Sequence, residues 1–313
     1  MSEKHSQSAG PVTLVTGTSS GMGLHTAVEL ARRGHTVVAT MRDTTRAANL
    51  QAAAREAGVE LDVRALDVVD HESARTCVES VLADHGRIDV LLNNAGRGAV
   101  GTAEQLSIDD VRDQLEVNYV GPVTLTKLVL PGMRERRSGR VLTITSVGGA
   151  VGQPVADSYC GAKFAVEGFM QSLAPVAEAV GVWVSVIEPA AVASDFVGSA
   201  LRTDEGNKND HAARPAASDS DGSDGSVDSD GSVASADPYA ALLAAYLARS
   251  AGAFDNAQSA VSAAAAIADA VTAESYRFRW QTSDGASAFV GMSLGDLDGE
   301  RVLGATRTWI AAS

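Results

Sequence analysis

The stretch VTLVTGTSSGMG, Val12 to Gly23, decides how the rest of the chain is read. Its first half, VTLVTG at Val12 to Gly17, lacks the polar alternation of a half-exposed strand and so reads as a strand buried on both faces. Its second half places Gly17, Gly21 and Gly23 where that strand turns into a helix running toward Gly34. Glycine lets the backbone turn tightly and approach a pyrophosphate, whose charge a helix N-terminus favours. The spacing is G-x-x-x-G-x-G, not the G-x-G-x-x-G of the commonest dinucleotide fingerprint, so position carries more weight than spacing. On this reading Gly17, Ser19, Ser20, Gly21, Met22 and Gly23 are candidate cofactor contacts.

Working outward, short apolar runs alternate with helical patterns. TVVAT (Thr36 to Thr40), LDVRAL (Leu61 to Leu66), IDVLLN (Ile88 to Asn93), RVLTITS (Arg140 to Ser146) and VWVSVIE (Val182 to Glu188) read as further strands. A seventh is expected near Tyr276 to Thr282, after an Ala-rich helix around Gln258 to Thr272. One helix opens at Ser107, with Asp109 and Asp110 in its first turn. Repeated strand-helix units imply an α/β fold: a Rossmann-like, doubly wound parallel sheet of about seven strands in three layers. The expected organisation is a flexible tail at 1–10 and one domain over 11–313, interrupted at 204–237. Ligands of such sheets bind at the carboxyl ends of the strands.

The second strand ends TVVATMRD. An acid at the tip would accept hydrogen bonds from an adenosine ribose and favour NAD. Met41 stands there instead, followed by Arg42, and an arginine can fork onto a 2′-phosphate. NADP(H) is therefore favoured, with NAD(H) left open through Asp43 swinging back to the ribose. Asp67 and Val68, just past the third strand, are placed to meet the adenine edge.

Four more features lie at strand ends or on adjoining helices. NNAG, Asn93 to Gly96, follows the fourth strand and offers Asn94, Ala95 and Gly96 as cofactor contacts. Asn118 lies in the next helix, within VNYVGP, and Ser146 closes the fifth strand. Tyr159 and Lys163 come as YCGAK, four apart and so on one helix face. A tyrosine near its ordinary pKa of about 10 is a poor proton donor and acceptor at neutral pH, and an ammonium one turn away favours its phenolate. Ser146 can hydrogen-bond a carbonyl oxygen as charge develops on it.

With TGTSSGMG, NNAG, Asn118, Ser146 thirteen residues before Tyr159, and YCGAK in this order, the chain resembles the short-chain dehydrogenase/reductase family over about Pro11 to Val197. The resemblance implies a tetrad of Asn118, Ser146, Tyr159 and Lys163. Tyr159 would exchange the proton, Ser146 would orient the reacting oxygen, and Lys163 would hold the nicotinamide ribose. Asn118 would anchor a water linking Lys163 to solvent, and hydride would pass between nicotinamide and substrate carbon. It also implies Pro189, Val192 and Ser194 beside the nicotinamide. Where the family usually has Pro-Gly, this chain has Pro189-Ala190, which would strain the loop if a positive φ were needed. The tail YRFRWQTSDGASAFVGMSLGDLDGERV and LPGMRERRSGRV are similar to a hydroxysteroid and retinol dehydrogenase-like subgroup, implying a bulky apolar steroid-, retinoid- or polyketide-like carbonyl or alcohol substrate.

Composition sets the outer bounds. The 313 residues are 45% hydrophobic and carry a net charge of −14, which disfavours nucleic-acid partners. Asp204 to Asp237 holds nine acids against Lys208 and Arg214, half of that charge, and repeats SDGSV. It reads as a flexible surface insertion beside the substrate mouth, with a solvated linker favoured over a calcium loop. Cys77 and Cys160 show no pairing or metal spacing, no run of apolar residues reaches a membrane span, and no metal pattern occurs. A cytoplasmic homodimer or homotetramer is expected. The rival reading is a non-enzymatic dinucleotide sensor on the same fold, which generally lacks the Tyr or Lys present here.

Overall fold

The computed structural model of the chain describes residues 10–193, 238–255 and 257–311. The tail up to residue 9, Ser194 and the acidic stretch 204–237 lie outside the described residues.

Strands β1 (Val12–Thr16), β2 (Thr36–Met41), β3 (Asp62–Ala65), β4 (Val90–Asn93), β5 (Gly139–Ile144) and β6 (Val182–Glu188) follow one another with helices between. Two short strands, β7 (Val192–Ala193) and β8 (Gln258–Ser259), pair with each other in parallel, and β9 is Arg279–Gln281. The main sheet has the order β3-β2-β1-β4-β5-β6-β9, and every neighbouring pair is parallel. Strand order reverses between β1 and β4, leaving a crevice at their carboxyl ends.

The inner strands of the sheet are buried on both faces, as their mainly apolar runs require, while the edge strands β3 and β9 are partly exposed. All five β1 residues are buried, Val12 and Leu14 on one face and Val15 on the other. Helices α1 (Gly21–Arg32) and α8 (Ala260–Thr272) cover the Val15 face, where Leu24, Leu30 and Ile267 meet. The opposite face packs on α3 (His71–His85), α5 (Gly121–Arg136) and α6 (Asp157–Glu178), through Val78, Leu125, Met133 and Met170 among others. Helix α2 (Ala48–Ala57) flanks α1, and α4 (Ile108–Leu115) precedes the Asn118 turn. Ser107 caps α4 in a reciprocal capping box with Asp110, as its sequence foretells.

Element ends depart from the sequence expectation in three places. The seventh strand is only Arg279–Gln281, because Tyr276 instead sends its hydroxyl to the Val184 carbonyl (3.0 Å). Gln258–Ser259 is strand rather than helix, since Ser259 is the N-cap of α8 and accepts from the Ser262 N–H. A helix not anticipated, α7 (Ala240–Asp255), follows the acidic stretch. Helices α9 (Asp284–Leu294) and α10 (Glu300–Arg307) complete the described chain. Ala190 is not among the positive-φ residues, which outside glycine are Arg137 and Val155 among the described residues, so no such strain falls on it.

Candidate active site

The glycine turn is held by the loop after β4. Asn94 Nδ2 donates to the Thr16 carbonyl (2.8 Å) and the Gly17 carbonyl (3.0 Å), while the Asn94 and Ala95 amides donate to Thr16 Oγ1. Gly17 sits at φ +70, and a Cβ there would lie 2.8 Å from Ala95 Cα. A Cβ on Gly23 would lie 2.3 Å from both Asn94 Nδ2 and the Gly17 carbonyl oxygen. The side chain of Asn94 is thus committed to shaping the turn, a role the sequence reading did not assign. Ser20 is the N-cap of α1 but provides no side-chain cap, so the first-turn amides keep their capacity to bind an anion.

At the tip of β2, Met41 is buried and Arg42 and Asp43 are exposed. Asp43 Oδ1 accepts from the Thr45 amide (2.9 Å) and hydroxyl (2.6 Å), which ties it to the turn Thr44–Ala47 and holds its carboxyl below the usual range. Asp67 Oδ1 accepts from the Val69 amide (3.2 Å), and Val68 turns into the core. These groups fit a dinucleotide laid over the glycine turn with its adenosine end between β2 and β3.

The four expected reactive side chains converge at the carboxyl ends of β4 and β5. Ser146 ends its strand on an extended backbone, and its Oγ accepts the Gly148 N–H (2.9 Å). The same hydroxyl is hydrogen-bonded to Tyr159 on the first turns of α6. Lys163, one turn on, is 4% exposed; its Nζ lies 5.8 Å from the Tyr159 ring centroid and donates to the Ile144 carbonyl (3.0 Å). Asn118 is buried in a π-helical turn, Glu116–Val120, that ends just before Pro122, whose missing N–H is tolerated in the first turn of α5. Its Nδ2 donates to the Arg97 carbonyl (2.9 Å) and Gln114 Oε1 (3.0 Å). A Cβ on Gly96 would meet Asn118 Oδ1 at 3.0 Å and Lys163 Nζ at 3.6 Å, so Gly96 keeps open the space these two groups share.

Electrostatics here departs from the sequence expectation. Burial pushes the Tyr159 hydroxyl above its ordinary value, and the Ser146 hydrogen bond only partly offsets this. Burial also brings Lys163 down to about 8, against the pull of Glu167. Desolvation thus outweighs the effect of the neighbouring ammonium, which points its proton at a backbone carbonyl. Cys160, beside Tyr159, is 5% exposed and its thiol is pushed up to about 11 by burial, which makes it a packing residue.

Pro189 is buried, and its carbonyl accepts the Val147 N–H (2.9 Å), fixing the chain beyond β6 against the Ser146 loop. Val192 is buried in β7, and Ser194 falls outside the described residues. Two site features escaped the sequence reading. Helix α7 brings a residue near the site: Tyr246, 9% exposed, adds a minor contribution to the raised Tyr159 hydroxyl. Tyr239, just before it, reaches Glu104 Oε1 (2.8 Å). Beneath the site, Glu167, Glu188 and Arg279 form a buried ionic cluster. The Ala/Leu-rich composition of AALLAAYLARSAGAF was the only available signal for the first, and nothing local marked the second.

The short chain dehydrogenase family model matches residues 11–205. Retinol dehydrogenase 8 from Homo sapiens is 43% identical over 198 residues, covering 62% of this chain and 63% of that protein. The 17-beta-hydroxysteroid dehydrogenase type 1 from Homo sapiens is 43% identical over 203 residues, covering 63% and 61%. The chain thus matches less than two thirds of the length of these relatives. A short-chain dehydrogenase from Streptomyces avermitilis superposes with a TM-score of 0.72 at 29% identity, over 96% of this chain and 98% of that one. An actinorhodin polyketide ketoreductase variant with NADPH (TM-score 0.59, 34% identity) matches 65% of this chain and 78% of its own. An NAD+-bound xylitol dehydrogenase (0.56, 30%) matches 59% and 72%.

Proposed function

The chain belongs to the short-chain dehydrogenase family, and from that premise we propose that it is an NADP(H)-dependent oxidoreductase of bulky apolar ketones and secondary alcohols. The observation that carries this reading is the Tyr159–Ser146 hydrogen bond set one turn from buried Lys163, directly beyond the glycine turn. The names of the similar proteins, a retinol and a hydroxysteroid dehydrogenase, support the substrate class. Buried Tyr246 on the Ala/Leu-rich α7 is consistent with an apolar guest. Arg42, exposed and without a hydrogen bond or ion pair among the described residues, supports the 2′-phosphate, whereas Asp43 is occupied by Thr45.

The nicotinamide, when bound, supplies or accepts the hydride. The Gly17–Gly23 turn and the open amides of α1 would hold the pyrophosphate, and Lys163 with Gly96 would face the ribose. Ser146 Oγ is held by the Gly148 N–H, and its proton, which without substrate is directed at Tyr159, would turn to the substrate oxygen. Tyr159 gives its hydroxyl proton to that oxygen during reduction and recovers it during oxidation. Asn118, whose Oδ1 accepts the Arg97 N–H (3.3 Å), would anchor the water that connects Lys163 to solvent. A homodimer or homotetramer in the cytoplasm, folded as one domain, completes the proposal. No helix of the described residues is long and apolar enough to cross a membrane.

Tyr159→Phe removes the exchanged proton while keeping the ring. Turnover of a ketone panel, followed at the nicotinamide absorbance, should fall at least about 1,000-fold, with NADPH affinity by fluorescence titration within about twofold. Retained turnover refutes the acid–base role. Undetectable turnover by the unmutated chain across aliphatic, aromatic, steroid and retinoid ketones, with tight NADPH binding, would favour the dinucleotide sensor instead.

A further inference from the structure

Lys163 is a buried cation that forms no direct ion pair among the described residues. A buried ammonium needs a counter-charge or it loses its proton. The nearest source is on its own helix, where Glu167 stands one turn further along α6 and is 4% exposed. Glu167 Oε2 takes a hydrogen bond from Arg279 Nη1 (2.9 Å), and the same guanidinium nitrogen binds Glu188 Oε1. Glu188, fully buried at the end of β6, is also held by Gln281 through its second oxygen. Register places Gln281 directly opposite Glu188 on β9.

Two carboxylates around one guanidinium leave a net charge of −1 beside one uncompensated lysine. Glu167 Oε1 is buried without a hydrogen-bond partner, because the adjacent Thr145 hydroxyl donates to the Ile187 carbonyl (3.1 Å). A carboxylate kept buried with an orphan oxygen costs stability, and its retention points to a role toward a neighbour. The groups that face Glu167 are Lys163 on α6, Glu188 on β6, Arg279 on β9 and the Thr145 hydroxyl after β5. Those that face Lys163 are Glu167, the Tyr159 ring, the Ile144 carbonyl and, across Gly96, Asn118.

We propose that Glu167 is a positioning residue: with Arg279 and Glu188 it forms a buried counter-charge that holds Lys163 as an ammonium. Strand β9 is then more than the edge of the sheet, because its Arg279 keeps Glu167 in place under the reactive residues. Burial lifts Glu167 to about 7 and lowers Lys163 to about 8, so both groups change charge in the neutral range and each biases the other. The consequence for turnover rests on the proposed function, in which Lys163 works as a cation; the titration itself does not.

Only Lys4, Lys127, Lys163 and Lys208 are present, so the full chain labelled with [13Cε]lysine gives four titrating signals by NMR. Lys163 is assigned by its loss in Lys163→Arg. In Glu167→Gln its proton affinity should fall on the order of tenfold, a midpoint about one pH unit lower. Glu167→Asp, which keeps the charge, should restore the midpoint to within about 0.3 units even if it lowers Tm. Should Glu167→Gln fail to fold, Glu188→Gln removes the same charge from the cluster and should move the midpoint in the same direction. An unmoved Lys163 midpoint in the glutamine variant, or an equal shift in the aspartate variant, overturns the proposal. Either result would leave the Tyr159→Phe test of the reaction intact.

Discussion

Asp43 and Arg42 are neighbours with opposite degrees of freedom. The carboxylate accepts two hydrogen bonds from Thr45, and the guanidinium is exposed and unengaged among the described residues. An acid so occupied must give up both bonds before it meets a ribose, whereas the arginine is ready to fork onto a phosphate. Arg42→Ala should therefore weaken NADPH at least about tenfold and NADH less than about twofold, read by fluorescence titration of each cofactor. Equal losses would remove the 2′-phosphate assignment. At this scale the sequence was informative wherever a residue's place follows from a strand end or a helical spacing, as for Ser146 just past β5 and for Tyr159 and Lys163 four apart on α6. It was silent on Glu167, whose partner Arg279 is 112 positions away and joins it only through β6–β9 pairing.

Among the elements, α7 is tied to the rest of the chain on both sides of its midpoint. The Tyr239 hydroxyl donates to Glu104 just before it, Tyr246 is buried midway, and Arg249 lies over the Trp309 ring (5.1 Å). Replacing the buried Tyr246 ring by Ala should raise KM for steroid- or retinoid-sized ketones about tenfold and leave NADPH affinity unchanged. An unaltered KM, measured by steady-state kinetics on the same panel, would place the substrate elsewhere. The strands β1, β2 and β6 were legible because each is almost wholly buried and its few polar residues do not alternate with the apolar ones as on a half-exposed strand. The short β9, with all three residues partly exposed, and the alanine-rich α7 offered no such contrast. Their positions are set by tertiary packing, which overrides weak local preference.

For the whole molecule, the buried ionisable groups make stability depend on pH. Glu167 stands at about 7 in the folded chain against an ordinary 4.5, so folding retains a proton that the unfolded chain releases. Its contribution is complete below pH 4.5 and lost as pH rises through 7. Lys163 runs the other way: at about 8 against 10.5, its burial is less costly as pH rises through that window. Urea midpoints of the unmodified chain and Glu167→Gln should thus converge or cross between pH 4.5 and 7, with the unmodified chain losing ground, and it should go on losing ground to about 8, because the lower Lys163 midpoint of the variant relieves its buried cation first. A constant difference would mean that Glu167 is ionised throughout. The formal charge of −14 says little about this chemistry, since half of it resides in 204–237, while Asn118, Ser146 and Lys163 are buried.

The two-residue pairing of β7 with β8 has a wider consequence. The chain leaves the sheet's catalytic edge at Val192–Ala193 and returns alongside itself at Gln258–Ser259, where Gln258 is also bonded to Thr282 through both ends of its amide. Exit and re-entry are clasped together, so whatever lies between is a closed excursion whose length enters the free energy only logarithmically, about 0.6 kcal/mol per doubling. We therefore expect the excursion to be exchangeable: grafting another segment between Ala193 and Gln258 should change substrate preference and leave the sheet and the residues proposed for proton transfer as they are.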